Sequence, residues 1–266
     1  MQEQLTRLKR ILRNRIITPP EWDERLYVHW RTQATQGLLI PIIDDEDMVF
    51  SKERTHDITL FFRHRELFNA LAKLSRTRAH RLKILSAPSS VGCEAVSLAC
   101  VFNRHGYADK GRAPIIHGVD ISDKKIRAAR SFVYPKVFGM QVPNRYKAHF
   151  NEDEQALRVN PEISRNIEYL DPVNLVDTRL QEPYDIALCM NLLCYLPDNE
   201  SKRKLIENLA AITTSMICLG YGVNIKTDDT SRSFCKAVLK EQGFSPNSLF
   251  DHKLLDADIF VREISF

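Results

Sequence analysis

Residues 84–100 read ILSAPSSVGCEAVSLAC, and the fold turns on them. A short apolar run over residues 82–85 ends in small residues, a single glycine follows at Gly92, and apolar positions then recur at helical spacing over residues 94–104. That is a buried strand, a tight loop and a helix. In an open parallel sheet such a turn lies at the carboxyl ends of the strands, where ligands bind near the point at which strand order reverses. Gly92 lets backbone approach a ligand closely, although the same loop composition also serves a plain connection.

The rhythm continues outward from this turn. Strands are predicted at residues 114–119, 167–170, 184–190, 216–220 and 259–264, with helices at 123–132, 200–213 and 231–242. Repeated strand–helix units imply an α/β domain with a mainly parallel sheet covered on both faces. Residues 135–165 break the pattern: they are polar, carry Pro135, Pro143 and Pro161, and are too long for an ordinary connection. An inserted lobe or lid is expected there. On the other side, Leu5, Leu8, Leu12 and Ile16 mark an amphipathic helix ended by Pro19 and Pro20. A second helix is predicted over residues 21–33, irregular chain over 34–57, and a third helix over 61–73 with Phe61, Phe62, Leu67, Phe68 and Leu71 as core candidates. The predicted division is a small N-terminal helical region, 1–78, and a domain at 79–266 containing the lobe.

With 266 residues, 44% apolar and 27% charged, the chain has the composition of an ordinary globular protein. Its net charge of +4 is mild, and its basic clusters (Arg7 to Arg15, Arg63 to Lys83) come without aromatic interleaving, which disfavours a nucleic-acid partner. No two of the six cysteines are spaced as CxxC, and no His/Cys spacing suggests zinc, so reduced thiols and no metal are expected. The opening MQEQLTRLKRILRNR has no signal-peptide core, and the longest apolar stretch, 186–196, is too short to span a bilayer. A cytoplasmic location is expected.

Asp120 closes the second predicted strand. An acid there can accept hydrogen bonds from both hydroxyls of a ribose, and either Asp120 or Ser122 can instead cap the following helix. The first loop lacks both GxGxxG and a Lys-Ser/Thr phosphate grip, which points to a nucleoside cofactor without phosphates, S-adenosylmethionine first.

Four blocks, in order, then resemble the CheR-type family of S-adenosylmethionine-dependent glutamate O-methyltransferases. Thr59 to Arg63 with Leu67-Phe68 is similar to its T-x-F-F-R block, and Ser86 to Glu94 to its S-A-G-C-S-T-G-E-E loop. Asp120-Ile121-Ser122 with Ala129-Arg130-Ser131 and Tyr134 resembles D-I-D…A-R-x-x-x-Y. Asn174-Leu175 and residues 189–195, CMNLLCY, resemble V-N-L and C-R-N-V-x-I-Y. Pro88, Cys93, Asp57, Met190 and Gly220-Tyr221-Gly222-Val223 depart from the family pattern, the last replacing its G-H-S-E. The resemblance implies a Rossmann-like class I methyltransferase fold with a mainly parallel seven-stranded sheet. It also implies that Thr59, Arg63, Glu94, Asp120, Asn174 and Leu175 line the cofactor with the Gly92 loop, that Asn191 lies beside it, and that Arg63 and Tyr195 stand near the transferred methyl. Each residue also has a local reading: Arg63 as an ion-pair partner on a helix surface, Glu94 as a first-turn helix acid, Tyr195 as core.

The function expected is methyl transfer to a carboxylate, on an acidic protein or a small acid. A carboxylate is already ionised at neutral pH and needs no general base, in keeping with the lack of an obvious histidine base. The alternatives are a small-metabolite O- or N-methyltransferase, which requires a base, and a non-catalytic relative that binds cofactor or partner.

Overall fold

The computed structural model describes residues 59–262 except 78–79, 108–110, 155, 197, 221–228 and 248–256. The helices expected at 5–16 and 21–33, Asp57 and the segment Tyr221-Gly222-Val223 lie outside the described residues.

Helix α1 (Arg65–Leu74) leads to strand β1 (Lys83–Ser86), helix α2 (Cys93–Arg104), strand β2 (Ile115–Gly118) and helix α3 (Asp123–Ser131). A lobe follows, with strands β3 (Val133–Pro135), β4 (Phe150–Glu152) and β5 (Ala156–Val159) and the one-turn helix α4 (Pro161–Ser164). The chain returns through β6 (Ile167–Tyr169), β7 (Tyr184–Met190), α5 (Asn199–Ile212), β8 (Thr213–Gly220), α6 (Asp229–Glu241), β9 (Phe244–Pro246) and β10 (Asp258–Arg262). The large sheet has seven strands in the order β6-β2-β1-β7-β8-β10-β9. Strands β6, β2, β1, β7 and β8 pair in parallel, and β10 runs antiparallel to both β8 and β9. This is the seven-stranded class I methyltransferase arrangement, and its strand order reverses between β1 and β7.

Alternation along the strands sorts the core into two layers. Ile84, Ile186, Leu188, Met216, Cys218 and Ile259 share one cluster with Leu67 and Leu71 of α1 and Val96 and Leu98 of α2. Leu85, Ala187, Cys189, Ile217, Leu219 and Phe260 share the other with Leu205, Ile206 and Leu209 of α5 and Val238 and Leu239 of α6. Because both faces are covered, β7 reads as the nearly continuous apolar run IALCM from Ile186 onward.

Two differences from expectation have physical causes. The helix predicted to begin at Phe61 begins at Arg65, after a turn in which Phe62 has φ 57°. The turn is held from afar: the Phe61 N–H donates to Gln141 Oε1 at 2.9 Å and the Phe62 N–H to Ser97 Oγ at 2.8 Å. Strand β9 was not anticipated, being three residues long and ending in Pro246. At the sheet edge the missing proline N–H faces no neighbouring strand and costs nothing.

Residues 135–165 form a lobe on a three-stranded antiparallel sheet ordered β3-β5-β4. Phe61 joins it to the main body, with ring centroids 4.8 Å from Tyr134, 5.9 Å from Phe138 and 5.4 Å from Phe150, each edge to face. Phe62 stacks on Tyr146 at 4.4 Å and 14°. Removing the Phe61 ring leaves a void among three aromatics, so Phe61→Ala should destabilise the fold by about 3–5 kcal/mol. Urea titration with unchanged slope is the measurement; a loss under about 1 kcal/mol would mean that the lobe does not depend on this anchor.

Candidate functional site

The site is assembled at the reversal point, over the carboxyl ends of β1, β2 and β7. The loop after β1 is sewn to both neighbours of that strand. The Ala87 N–H donates to the Leu188 carbonyl at 2.9 Å and the Ser89 N–H to the Val119 carbonyl at 2.7 Å. The Ser90 N–H donates to Asp120 Oδ2 at 3.0 Å, and the Ser122 N–H to Asp120 Oδ1 at 3.0 Å. The open question about helix α3 is thereby answered: Ser122 is its N-cap, accepting from the Lys125 N–H at 3.4 Å, and Asp120 ties the loop to β2. Asp120 is only 5% exposed, so these two bonds compensate its burial. An ionised carboxylate offers roughly four acceptor positions, which leaves capacity for a pair of ligand hydroxyls.

Gly92 ends the loop at φ 93°. A Cβ there would collide with the Tyr169 hydroxyl and lie 3.1 Å from Tyr134 Oη, and Tyr169 Oη itself donates to the Gly92 carbonyl at 3.2 Å. Tyr169 reaches the loop across Gly118, whose bare Cα makes room for the ring. Backbone conformation and space therefore both demand glycine at position 92. Gly92→Ala should cost about 2–4 kcal/mol from left-handed strain plus overpacking. Calorimetric unfolding would read this, and an unchanged melting temperature would show that the tyrosine brace yields freely.

Glu94 stands in the first turn of α2, partly accessible but densely packed, and accepts from Ser86 Oγ at 2.7 Å. Burial pushes its carboxyl up from 4.5 to about 7, against the opposing pull of the Ser86 hydrogen bond and the Arg63 charge. Arg63 itself is partly exposed and has no hydrogen-bond or ion-pair partner among the described residues. The helix-surface ion pair open to it on sequence grounds is absent among those residues. The same guanidinium acts on the next residue, His64, whose imidazole is held down at about 3 by burial first and Arg63 second. His64 Nε2 lies 3.3 Å from Asn191 Nδ2, at the tip of β7, where Asn191 has φ 59° and its N–H donates to the Gly220 carbonyl at 2.9 Å.

The predicted residues thus divide. Arg63, Glu94, Asp120, Gly92 and Asn191 converge on the carboxyl edge at the reversal point. Thr59 lies next to them, sharing a hydrogen bond with the buried Cys93 thiol, which burial drives far up. Tyr195 sits half-buried in the turn Leu193–Tyr195 that follows β7. Asn174 is engaged in its own turn, its Oδ1 accepting from the Val176 N–H at 3.1 Å and its Nδ2 donating to Asp177 Oδ2 at 2.5 Å. Leu175 is 6% exposed and packed in the second core cluster, with its carbonyl accepting from Asn208 Nδ2 at 2.9 Å. Ser86, His64 and Tyr169 were not anticipated. Ser86, which opens the loop block, and His64, directly following Arg63 in the sequence, carried signals that could have drawn attention to them.

The donor set suits a cationic nucleoside cofactor. Asp120 offers acceptors for hydroxyls, Glu94 offers a carboxylate for a cation, and no Lys or Arg occurs in residues 86–96 to hold a phosphate. Among the described residues no group of three or more His, Cys, Asp or Glu could hold a metal ion, and no helix is long and apolar enough to cross a membrane.

Comparison with known proteins places the chain among its relatives. The chain is 31% identical over 165 residues to a probable biofilm formation methyltransferase, WspC, of Pseudomonas putida, covering 57% of this chain and 37% of that protein. It is 30% identical over 179 residues to chemotaxis protein methyltransferase 2 of Pseudomonas aeruginosa, covering 63% and 62%. It is 24% identical over 174 residues to the chemotaxis protein methyltransferase of Escherichia coli, covering 63% and 60%. The chain therefore spans between about a third and three fifths of the length of these relatives. Residues 57–239, well over half the chain, match the family described as CheR methyltransferase, SAM binding domain, and the chain belongs to that family.

Proposed function

We propose that the protein is an S-adenosylmethionine-dependent O-methyltransferase whose acceptor is a carboxylate, on a protein glutamate or a small acid. The observation that carries this reading is Arg63, a cation with no hydrogen-bond or ion-pair partner among the described residues, next to a histidine too weak to act as a base, while the Glu94 carboxyl, at about 7, is assigned to the cofactor's ammonium group. A hydroxyl or amine acceptor must lose a proton, and a base works best with a pKa near the operating pH. His64, the imidazole next to Arg63, is held near 3 and is far too weak. A carboxylate needs no deprotonation, only orientation, and a planar guanidinium supplies that through two parallel hydrogen bonds.

When bound, S-adenosylmethionine supplies a sulfonium-borne methyl group that a carboxylate oxygen can take directly, with no proton moved. Asp120 would hold the ribose hydroxyls and Glu94, once ionised, the cofactor's ammonium group. Arg63 steers the acceptor oxygen, and Tyr195 closes the side of the site after β7, helping to exclude water. The carboxylate acceptor also agrees with the chemotaxis protein methyltransferases that the chain resembles.

The test uses methyl-labelled cofactor, first with a protein extract and then with small carboxylic acids. Label released as volatile methanol by mild alkali is the expected result, since esters hydrolyse there. Alkali-stable label would transfer the assignment to an ether or N-methyl product. Tight binding of S-adenosylhomocysteine with no transfer to any acceptor would favour a non-catalytic relative.

A further inference from the structure

We propose that His64 is a positioning residue: its neutral imidazole accepts a hydrogen bond from the Asn191 side-chain amide and thereby holds Arg63 at the carboxyl edge of the sheet. The proposal rests on the role given above to Arg63.

With the Asn191 amide placed so that its Nδ2 lies 3.3 Å from His64 Nε2, the amide N–H donates, Nε2 accepts and the ring proton sits on Nδ1. His64 is 5% exposed, lies edge-on to Phe68 with centroids 6.4 Å apart, and its Nδ1 has no partner. An orphaned buried donor costs about 1–3 kcal/mol, which a leucine or phenylalanine in the same place would avoid. The side chain does not cap α1 either, although it occupies the N-cap position. Neither packing nor capping therefore accounts for a histidine here. The bond to Asn191 does, because it joins residues 127 apart in sequence across the site.

The consequence falls on the residue between. Arg63 has no hydrogen-bond or ion-pair partner among the described residues, so the course of its backbone is set by its two neighbours. On one side Phe62 is pinned by the bond from its N–H to Ser97 Oγ and by its stack on Tyr146, in a conformation at φ 57° that needs such support. On the other side His64 is pinned to the tip of β7. The acceptor role also requires the uncharged ring, since a doubly protonated imidazole would set N–H against N–H. Burial and the adjacent guanidinium keep the ring uncharged at neutral pH.

Two measurements on the apoprotein test this without any acceptor substrate. Nitrogen-15 spectra of the His64 ring should show the proton on Nδ1 and a bare Nε2 from pH 8 down to pH 5; a proton on Nε2 would overturn the proposal. The Arg63 backbone N–H order parameter should then be compared in three proteins. It is expected at about 0.8 in the wild type, below about 0.6 in His64→Leu, and restored in His64→Gln, whose amide oxygen can take the place of Nε2. His64→Leu removes the orphaned Nδ1 donor but also takes the acceptor from the part-buried Asn191 amide, two opposed effects, so it should melt close to the wild type and a loss of Arg63 order would not reflect general loosening. Equal order in all three proteins would refute the role. In turnover, His64→Leu should fall at least tenfold and His64→Gln stay within threefold of wild type. Because the tautomer and the order parameter need no cofactor, their failure is distinguishable from a failure of the methyltransferase reading.

Discussion

Arg63→Ala is expected to lower methyl transfer by about 100- to 1000-fold, equivalent to about 2.7–4 kcal/mol of lost transition-state stabilisation, while the fold stays intact. Arg63 has no hydrogen bond or ion pair among the described residues, so the folded chain loses neither, and a shift in melting temperature beyond about 2 °C is not expected. Arg63→Lys should recover only part of the activity, because an ammonium is a point charge and cannot grip a carboxylate by two parallel bonds. A second consequence needs no acceptor. The Arg63 charge lowers the Glu94 pKa, so its removal should move the pH midpoint of cofactor binding upward. Alanine variants with full turnover and an unmoved midpoint would remove Arg63 from the site altogether.

Glu94→Gln should weaken S-adenosylhomocysteine binding by about 10- to 100-fold at pH 8, the loss of a charge-assisted hydrogen bond, and should flatten its pH dependence. In the wild type Glu94 must be ionised to hold an ammonium, and its pKa in the folded chain is about 7. Affinity should therefore climb as pH rises to about 7 and then level off, with binding at pH 6 releasing close to one proton. The stability of the free protein should run the opposite way. A carboxyl raised from 4.5 to about 7 on folding contributes stability that is full below about pH 4.5 and is lost as pH rises through about 7. Glu94→Gln carries no such loss, so it should be the more stable of the two above pH 7 while binding ligand more weakly. Calorimetry at pH 6 and pH 8 gives both readings. A wild-type affinity that does not change with pH would show that Glu94 does not face the cofactor's cation.

How far the molecule was legible from its sequence depended on the range of the interaction concerned. The apolar run over β7 and the helical spacing of α2 report burial directly, because alternation and periodicity are imposed by neighbours a few residues away. Gly92 and Asp120 stood out because a strand-to-helix turn needs those residue types locally. The start of α1 was misplaced by four residues because the competing acceptors, Gln141 and Ser97, lie 80 and 35 residues away. Strand β9 escaped notice because three residues carry no measurable alternation. Asn174 and Leu175 sit in a turn and in the core, a placement that the motif alone does not specify.

The sequence by itself determined the parallel α/β architecture, the loop that opens α2 and the residue types gathered around it, since each follows from local pattern and backbone chemistry. Only the tertiary structure decided what those residues can do. Desolvation raises Glu94 and depresses His64, and the reversal of strand order brings Asn191 beside a segment 127 residues earlier. Such properties depend on what lies across the site in space, and neither burial of a charge nor a contact between distant segments leaves a trace in local periodicity.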